Sequence, residues 1–191
     1  MSIKGTKTEK NLLKAFAGES QARMRYTFFA ERAIEEGYEQ IAELFLETAE
    51  NEKEHARRFF SFLDRGDNLE IDAAYPAGYV GNTLQNLKMA AAGEHEEHSE
   101  LYPTFAKIAQ EEGFPEVAAV FRLISRVEVE HENRYLKLAG NIEKNLVFER
   151  EDKVRWKCRK CGYVHEGKLA LETCPVCNAP KAFFELKESD Y

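Results

Sequence analysis

No run of about 18 consecutive apolar residues occurs anywhere in the 191-residue chain, so no membrane-spanning helix is expected. The first residues, Met1 to Asn11, are polar and lysine-bearing and lack the apolar core of a signal peptide. A cytoplasmic protein is therefore expected. Cysteine is scarce and confined: all four lie between Cys158 and Cys177, as two Cys-x-x-Cys pairs. In a reducing compartment that pattern points to metal binding rather than disulfides. Positive charge is also in deficit. The net charge is −7, and such a surface repels phosphate backbones, which argues against a nucleic-acid partner. What is present, 43% hydrophobic and 32% charged residues, suits a helix-rich globular chain.

Four long helical segments precede residue 147. Helix A runs from Thr8 to Glu36, with Thr6 and Glu9 at capping-box spacing and Gly37 as the stop. Helix B runs from Tyr38 to Arg65 and ends at Gly66; helix C runs from Asn82 to Gly113; helix D starts at Pro115 and continues towards Gly140. The turns at Gly37 and Gly113 are short, so A–B and C–D should be antiparallel hairpins. Between B and C lie residues 67–81, which reach about 50 Å when extended, against about 42 Å for a helix of some 28 residues. That segment can just cross the bundle, which predicts an all-α, ferritin-like four-helix bundle with one long crossover.

The hairpins repeat. Ala17-Gly18-Glu19 matches Ala92-Gly93-Glu94 at an offset of 75. The offset is 76 for Ala30/Ala106, Gly37/Gly113, Phe45/Phe121, Glu52/Glu128 and His55/His131. A pseudo-two-fold axis should therefore relate the hairpins. The extra residue falls in helix C between Glu97 and Ala106, beside Pro103, and predicts a π-bulge there.

Each half carries one glutamate on its first helix and a Glu-x-x-His on its second: Glu19, Glu52, His55, then Glu94, Glu128, His131. A lone Glu-x-x-His is usually a solvated surface pair. Here the stripes Phe45-Thr48-Glu52-His55-Phe59 and Phe121-Ile124-Glu128-His131-Tyr135 put these groups on apolar faces. An unpaired charge is very costly there, and a pair of metal cations explains all six. Tyr26 and Tyr102 fall within two turns of the ligands and are candidate hydrogen-bond donors to the carboxylates. His95 and His98 fit the helix C stripe poorly and read as solvated or as supporting groups.

Around 148–153 the composition becomes charged, which predicts a linker between a 1–147 bundle and a 154–191 tail. The tail is too small to fold on apolar burial alone. Cys158, Cys161, Cys174 and Cys177 supply two knuckles of a tetrahedral sulfur site, suited to iron or zinc.

Across its whole length the chain resembles the rubrerythrin family. The resemblance rests on Ala-Gly-Glu at 17–19 and 92–94, both Glu-x-x-His motifs and the extra Glu97. It extends through Trp156-x-Cys158-x-x-Cys161-Gly162-Tyr163-x-His165, Cys174-Pro175-x-Cys177 and Pro180-x-x-Phe183. It implies a rubredoxin-like C-terminal domain holding one iron and a bundle holding two non-haem irons. Carried over by motif, Glu19, Glu52, Glu94, Glu97, Glu128 and His131 would be di-iron ligands, with His55 a ligand in the reduced state. The implied activity is a peroxidase of oxidative-stress defence that reduces hydrogen peroxide to water. Electrons would come from a reductase or a rubredoxin through the sulfur-bound iron, within a homodimer or larger homo-oligomer whose sulfur site can serve a neighbouring subunit. Glu97 and His55 would exchange at one iron, with Tyr26 and Tyr102 nearby. Two other readings suit parts of the chain: a ferroxidase or iron-handling bundle, and a zinc ribbon that docks a partner.

Overall fold

The computed structural model describes residues 2–64, 66 and 68–187. Its elements are α1 (Lys7–Glu35), α2 (Glu39–Phe60), α3 (Thr83–Glu96), a π-helical turn (Glu97–Leu101), α4 (Tyr102–Glu111), α5 (Pro115–Glu143), β1 (Glu149–Cys158), β2 (Val164–Leu169) and β3 (Phe184–Leu186). Together α3, the π turn and α4 are the expected helix C, and the irregularity falls inside the window where the repeat offset changes.

Local chemistry sets the helix limits. The Thr6 hydroxyl accepts from the Glu9 amide, while the Glu9 carboxylate reaches past Thr6 to the Gly5 amide at 2.7 Å. Asn82 and Gln85 close a full capping box at the start of α3. At the two hairpin turns Gly37 (φ 80°) and Gly113 (φ 83°) take the left-handed conformation that favours glycine. The residues after them donate to Ala33 and Ala109 carbonyls, each at 2.8 Å. The two hairpins thus turn by the same device. Helix α2 stops at Phe60 rather than running on; Arg65 and Asp67, the expected end of helix B and start of the crossover, lie outside the described residues.

Two long-range hydrogen bonds fix the topology. The Thr83 amide donates to Glu36, so α3 begins where α1 ends. The Thr8 amide donates to Glu112, so α4 ends where α1 begins. The crossover therefore runs from one end of the bundle to the other. The apolar core is split in two. One cluster holds Ala22, Tyr26, Phe29, Phe45, Ala49, Ala91 and Tyr135. The other holds Leu12, Ala15, Phe59, Tyr102, Phe121 and Ile124. On every helix the glutamates of the repeat fall between the two, so the polar layer is sandwiched by apolar ones.

Beyond the bundle, β1 pairs antiparallel with β2 and β3 in the order β2-β1-β3. The charged stretch expected as a linker is a correction: residues 149–153 are the first half of β1, and Glu149 pairs with Leu169 across an irregular register. Five consecutive charged residues resemble a linker in composition, and only the backbone course of the strand distinguishes them. Trp156 is fully buried, with its indole N–H on the Gly167 carbonyl at 3.0 Å. The sheet packs on the α2 N-terminus: Arg159 reaches Glu43, and Tyr38 stacks on Phe148 at 6.1 Å between ring centroids. No helix among the described residues is long and apolar enough to cross a membrane.

Candidate metal centres

In the middle layer of the bundle, six side chains from all four helices converge. Glu19, Glu52, Glu94 and Glu128 are at most 1% exposed and His131 is 2% exposed, which makes this one of the most charged volumes a protein interior can hold. They form two overlapping sets with ligand atoms within 4.8 Å of one another: Glu19, Glu52, His55, Glu128, and Glu52, Glu94, Glu128, His131. Glu52 and Glu128 belong to both, so they sit where bridging carboxylates would. His55 Nδ1 lies 2.9 Å from Glu52 and 3.0 Å from Glu128; His131 Nδ1 lies 2.8 Å from Glu128 and 3.3 Å from Glu52.

These close contacts are not aligned as hydrogen bonds. Both oxygens of Glu52 and of Glu128, one oxygen each of Glu19 and Glu94, and Nδ1 of both histidines lack a partner. Buried polar atoms are almost always paired, and eight that converge on one volume aim at something between them. Two cations would satisfy them all, and carboxylate with imidazole is a donor set that iron or manganese accepts. The donors fit a two-metal carboxylate centre.

Without cations the group must hold protons instead. Desolvation, then the neighbouring carboxylates, push Glu19 and Glu94 well above the usual carboxylate range. Desolvation also acts to raise Glu52, but His131 and His55 outweigh it and bring it down to about 2. Desolvation acts to lower the imidazoles, yet Glu128 and Glu52 beside them raise His55 to about 10 and His131 to about 9.

The tyrosines cross between the repeats. Tyr26 on α1 donates to Glu94 of the other hairpin at 2.6 Å, and Tyr102 on α4 donates to Glu19 through a very short hydrogen bond. Both rings are buried, one in each apolar cluster. Each hydroxyl fixes the carboxylate that belongs to only one ligand set. Two further residues support the site, and only one of them, Asn51, had no signal in the sequence. The Asn51 side-chain oxygen lies 3.3 Å from His131 Nε2; accepting a proton there leaves Nδ1 with its lone pair towards the carboxylates. Tyr135, whose hydroxyl is among the unpartnered buried atoms, stands edge-on to Tyr26. Only the helix packing brings Asn51 to the site, whereas Tyr135 already lies on the helix D stripe.

Glu97 stands apart. It opens the π turn, is half-buried, and belongs to neither four-residue set. Desolvation, then Glu128 and Glu52, hold it well above the carboxylate range. It lines a cavity of about 320 Å³ with Lys14, Gly18, Arg25, Tyr75 and Tyr102. A methyl placed on Gly18 would touch Tyr75 at 3.7 Å and Glu97 at 3.9 Å. The crossover thus roofs the volume into which Glu97 opens, and Tyr75 is pinned there by its hydroxyl on the Lys14 carbonyl.

In the small domain the four sulfurs also converge, with Cys158 and Cys177 3.8 Å apart and Cys161 and Cys174 3.6 Å apart. A disulfide needs about 2.05 Å, whereas the edge of a tetrahedron with metal–sulfur bonds of about 2.3 Å is about 3.8 Å. The two knuckles are built alike. Gly162 and Asn178 follow them with positive φ and donate to the Cys158 and Cys174 carbonyls, while the Cys158 and Cys174 amides donate to Tyr163 and Ala179.

Comparison with known proteins agrees with both centres. The family model described as Rubrerythrin matches residues 10–139, and that described as Rubrerythrin, rubredoxin-like domain matches residues 156–185. A rubrerythrin of Porphyromonas gingivalis is 61% identical over 190 residues, covering 100% of this chain and 94% of the relative. One of Clostridium perfringens is 56% identical, covering 100% and 99%. A solved structure of nigerythrin in a mixed-valence state superposes with a TM-score of 0.64 at 35% identity, covering 97% of this chain and 91% of that one. With a carboxylate–histidine cage in a ferritin-like bundle and a four-cysteine rubredoxin-like domain on one chain, the protein belongs to the rubrerythrin family.

Proposed function

We propose that the protein is a non-haem iron peroxidase that reduces hydrogen peroxide to two waters, consuming two electrons and two protons. The observation that carries this reading is the pairing of the unsatisfied carboxylate–imidazole cage with a tetrathiolate site in one polypeptide. An iron-storage or ferroxidase bundle has no use for the second. Glu19, Glu52, His55, Glu94, Glu97, Glu128 and His131 are the proposed ligands of two irons, and Cys158, Cys161, Cys174 and Cys177 those of a third. Two adjacent ferrous ions held there would supply both electrons together, which would avoid one-electron radical chemistry.

The chain's own groups divide the remaining work. Tyr26 and Tyr102 lock the carboxylates of Glu94 and Glu19 in place, so that the cage does not collapse between turnovers. The roofed cavity admits a molecule as small as peroxide and brings it to Glu97, whose carboxyl can present or take up a proton there. His55 and Glu97 would be alternative holders of one iron: neutral imidazole suits the ferrous state and the anionic carboxylate the ferric one. The tetrathiolate iron relays electrons from an external reductase or rubredoxin. Arg159, beside that site, contacts Glu43, which is nine residues from Glu52 and so about 14 Å away along α2.

Two measurements test the reading. Anaerobically reduced protein mixed with peroxide should reoxidise at its bundle irons faster than with dioxygen; the reverse order would favour a ferroxidase. Crystals of one form, oxidised and then chemically reduced, should show His55 and Glu97 exchanging; identical ligands in both states would sink the switch.

A further inference from the structure

His95, His98 and Glu132 are the third group of side chains among the described residues that can converge on one ion, and the peroxidase reading leaves them unused. His95 Nδ1 lies 3.1 Å from one Glu132 oxygen, and His98 Nε2 lies 2.5 Å from the other. The rings stand edge-to-face with centroids 5.1 Å apart, and all three ligand atoms fall within 4.8 Å of one another. Donors on one transition-metal ion at bond lengths of about 2.1 Å stand about 3 to 3.5 Å apart, so small side-chain rotations would seat an ion.

The backbone around the group is held. His95 closes α3 and His98 lies in the π turn, while Glu132 is on α5. The Ser125 hydroxyl on α5 donates to the His98 carbonyl at 3.2 Å, tying the two helices together beside the group. His98 and Glu132 are mostly buried side chains, at 16% and 18% exposure, and His95 at 60% leaves one side open to solvent. Two imidazoles and a carboxylate with open positions are a donor set for a divalent transition metal, not for calcium or magnesium, which take oxygen ligands. At the offsets of the repeat, the counterparts in the other hairpin are Ser20, Arg23 and Ala56, which bring a cation where an ion would sit. The group is therefore not a by-product of the symmetry that builds the cage.

We propose that His95, His98 and Glu132 form a third metal site, which holds one divalent transition-metal ion at the surface, one residue outward from the buried pair. His95 follows Glu94 and Glu132 follows His131, so both helices that carry ligands inward carry this site outward. The alternative is an exposed His–Glu ion-pair cluster that binds no metal.

The test uses untagged, iron-loaded protein equilibrated with zinc and then freed of unbound ions, with zinc and iron counted per chain. The wild type should take up one more zinc than the double variant His95→Ala/His98→Ala, with iron unchanged in both. Glu132→Gln should bind that zinc at least tenfold more weakly. Crystals soaked in zinc should give an anomalous peak at its absorption edge, bonded to the three side chains. Equal zinc uptake by wild type and double variant, or an unchanged affinity in Glu132→Gln, would overturn the assignment. Neither readout depends on peroxide turnover, so the site stands or falls separately from the peroxidase reading.

Discussion

Stripping the metal ions from the bundle leaves its buried carboxylates and imidazoles to satisfy one another, and the stability of that state should fall as pH rises. His55 and His131 carry pKa values raised from 6.5 to about 10 and about 9, because Glu128 and Glu52 beside them outweigh desolvation. The folded chain binds these protons more tightly than the unfolded chain does. The stabilisation is therefore complete below pH 6.5 and is lost as pH climbs through about 9 to 10. A rise from 6.5 to about 10 corresponds to on the order of 5 kcal/mol. Both imidazoles lean on the same two carboxylates, so their losses do not simply add. Glu19, Glu94 and Glu97 are raised as well, and they too lose stabilisation as pH rises above 4.5 towards their folded values. Glu52, depressed to about 2, acts oppositely and weakens the fold only as pH drops from 4.5 towards 2. Against a typical total of about 5–15 kcal/mol, the alkaline loss is large. Thermal melts of chelated protein, followed by helix circular dichroism, should drop steeply between pH 6 and pH 10. Melts of the metal-loaded protein should not, because cations have replaced the protons. A chelated protein that melts at the same temperature at pH 6 and pH 10 would refute the electrostatic account of the cage.

Because Glu52 belongs to both ligand sets and Glu19 to one, Glu19→Gln should lower the bundle from two metals to one, whereas Glu52→Gln should lose both; metal analysis of the purified variants distinguishes them. Tyr102→Phe removes the buried donor to Glu19 and should cost about 1.5–3 kcal/mol in denaturant unfolding. The same variant should weaken metal binding on the Glu19 side by about 10- to 100-fold. Cys158→Ser should abolish reductant-driven peroxide turnover but leave a single stoichiometric oxidation of pre-reduced bundle irons; loss of that single event in a folded variant would count against the relay.

Periodicity made the bundle legible because each helix carries its own signal. Gly37 and Gly113 announce the two turns, and the apolar stripes place Glu52, His55, Glu128 and His131 inward before any packing is known. The π turn was legible for a rarer reason: an internal repeat supplies its own ruler, and one extra residue between Glu94 and Ala106 must go somewhere. What escaped depends on contacts between segments. Residues 149–153 have a linker's composition, yet they open β1, with Glu149 paired to Leu169. Asn51 is one polar residue among several on α2 until α5 brings His131 Nε2 against it. His95 and His98 look like solvated histidines until Glu132 arrives from another helix.

Two departures from two-fold symmetry, the added carboxylate of Glu97 and the π turn, fall side by side on the C–D hairpin. In the A–B hairpin, Glu19 is followed by the small, buried Ala22, and α1 runs on without a break to Tyr26. In the C–D hairpin the residue matching Ala22 is Glu97, and the helix there widens into a π turn before Tyr102 restores the register. Without the π turn to absorb the inserted residue, Tyr102 would be rotated by about 100° about the helix axis from the post that Tyr26 holds in α1, away from Glu19. With it, both tyrosines keep their symmetric posts while Glu97 and His98 sit on a widened turn between them. The inserted residue and an intact hydrogen-bond frame are thus compatible because the π turn takes up the extra residue. The two halves of the cage are therefore unlike: the C–D half carries a carboxylate and a π turn where the A–B half carries Ala22 and an unbroken helix.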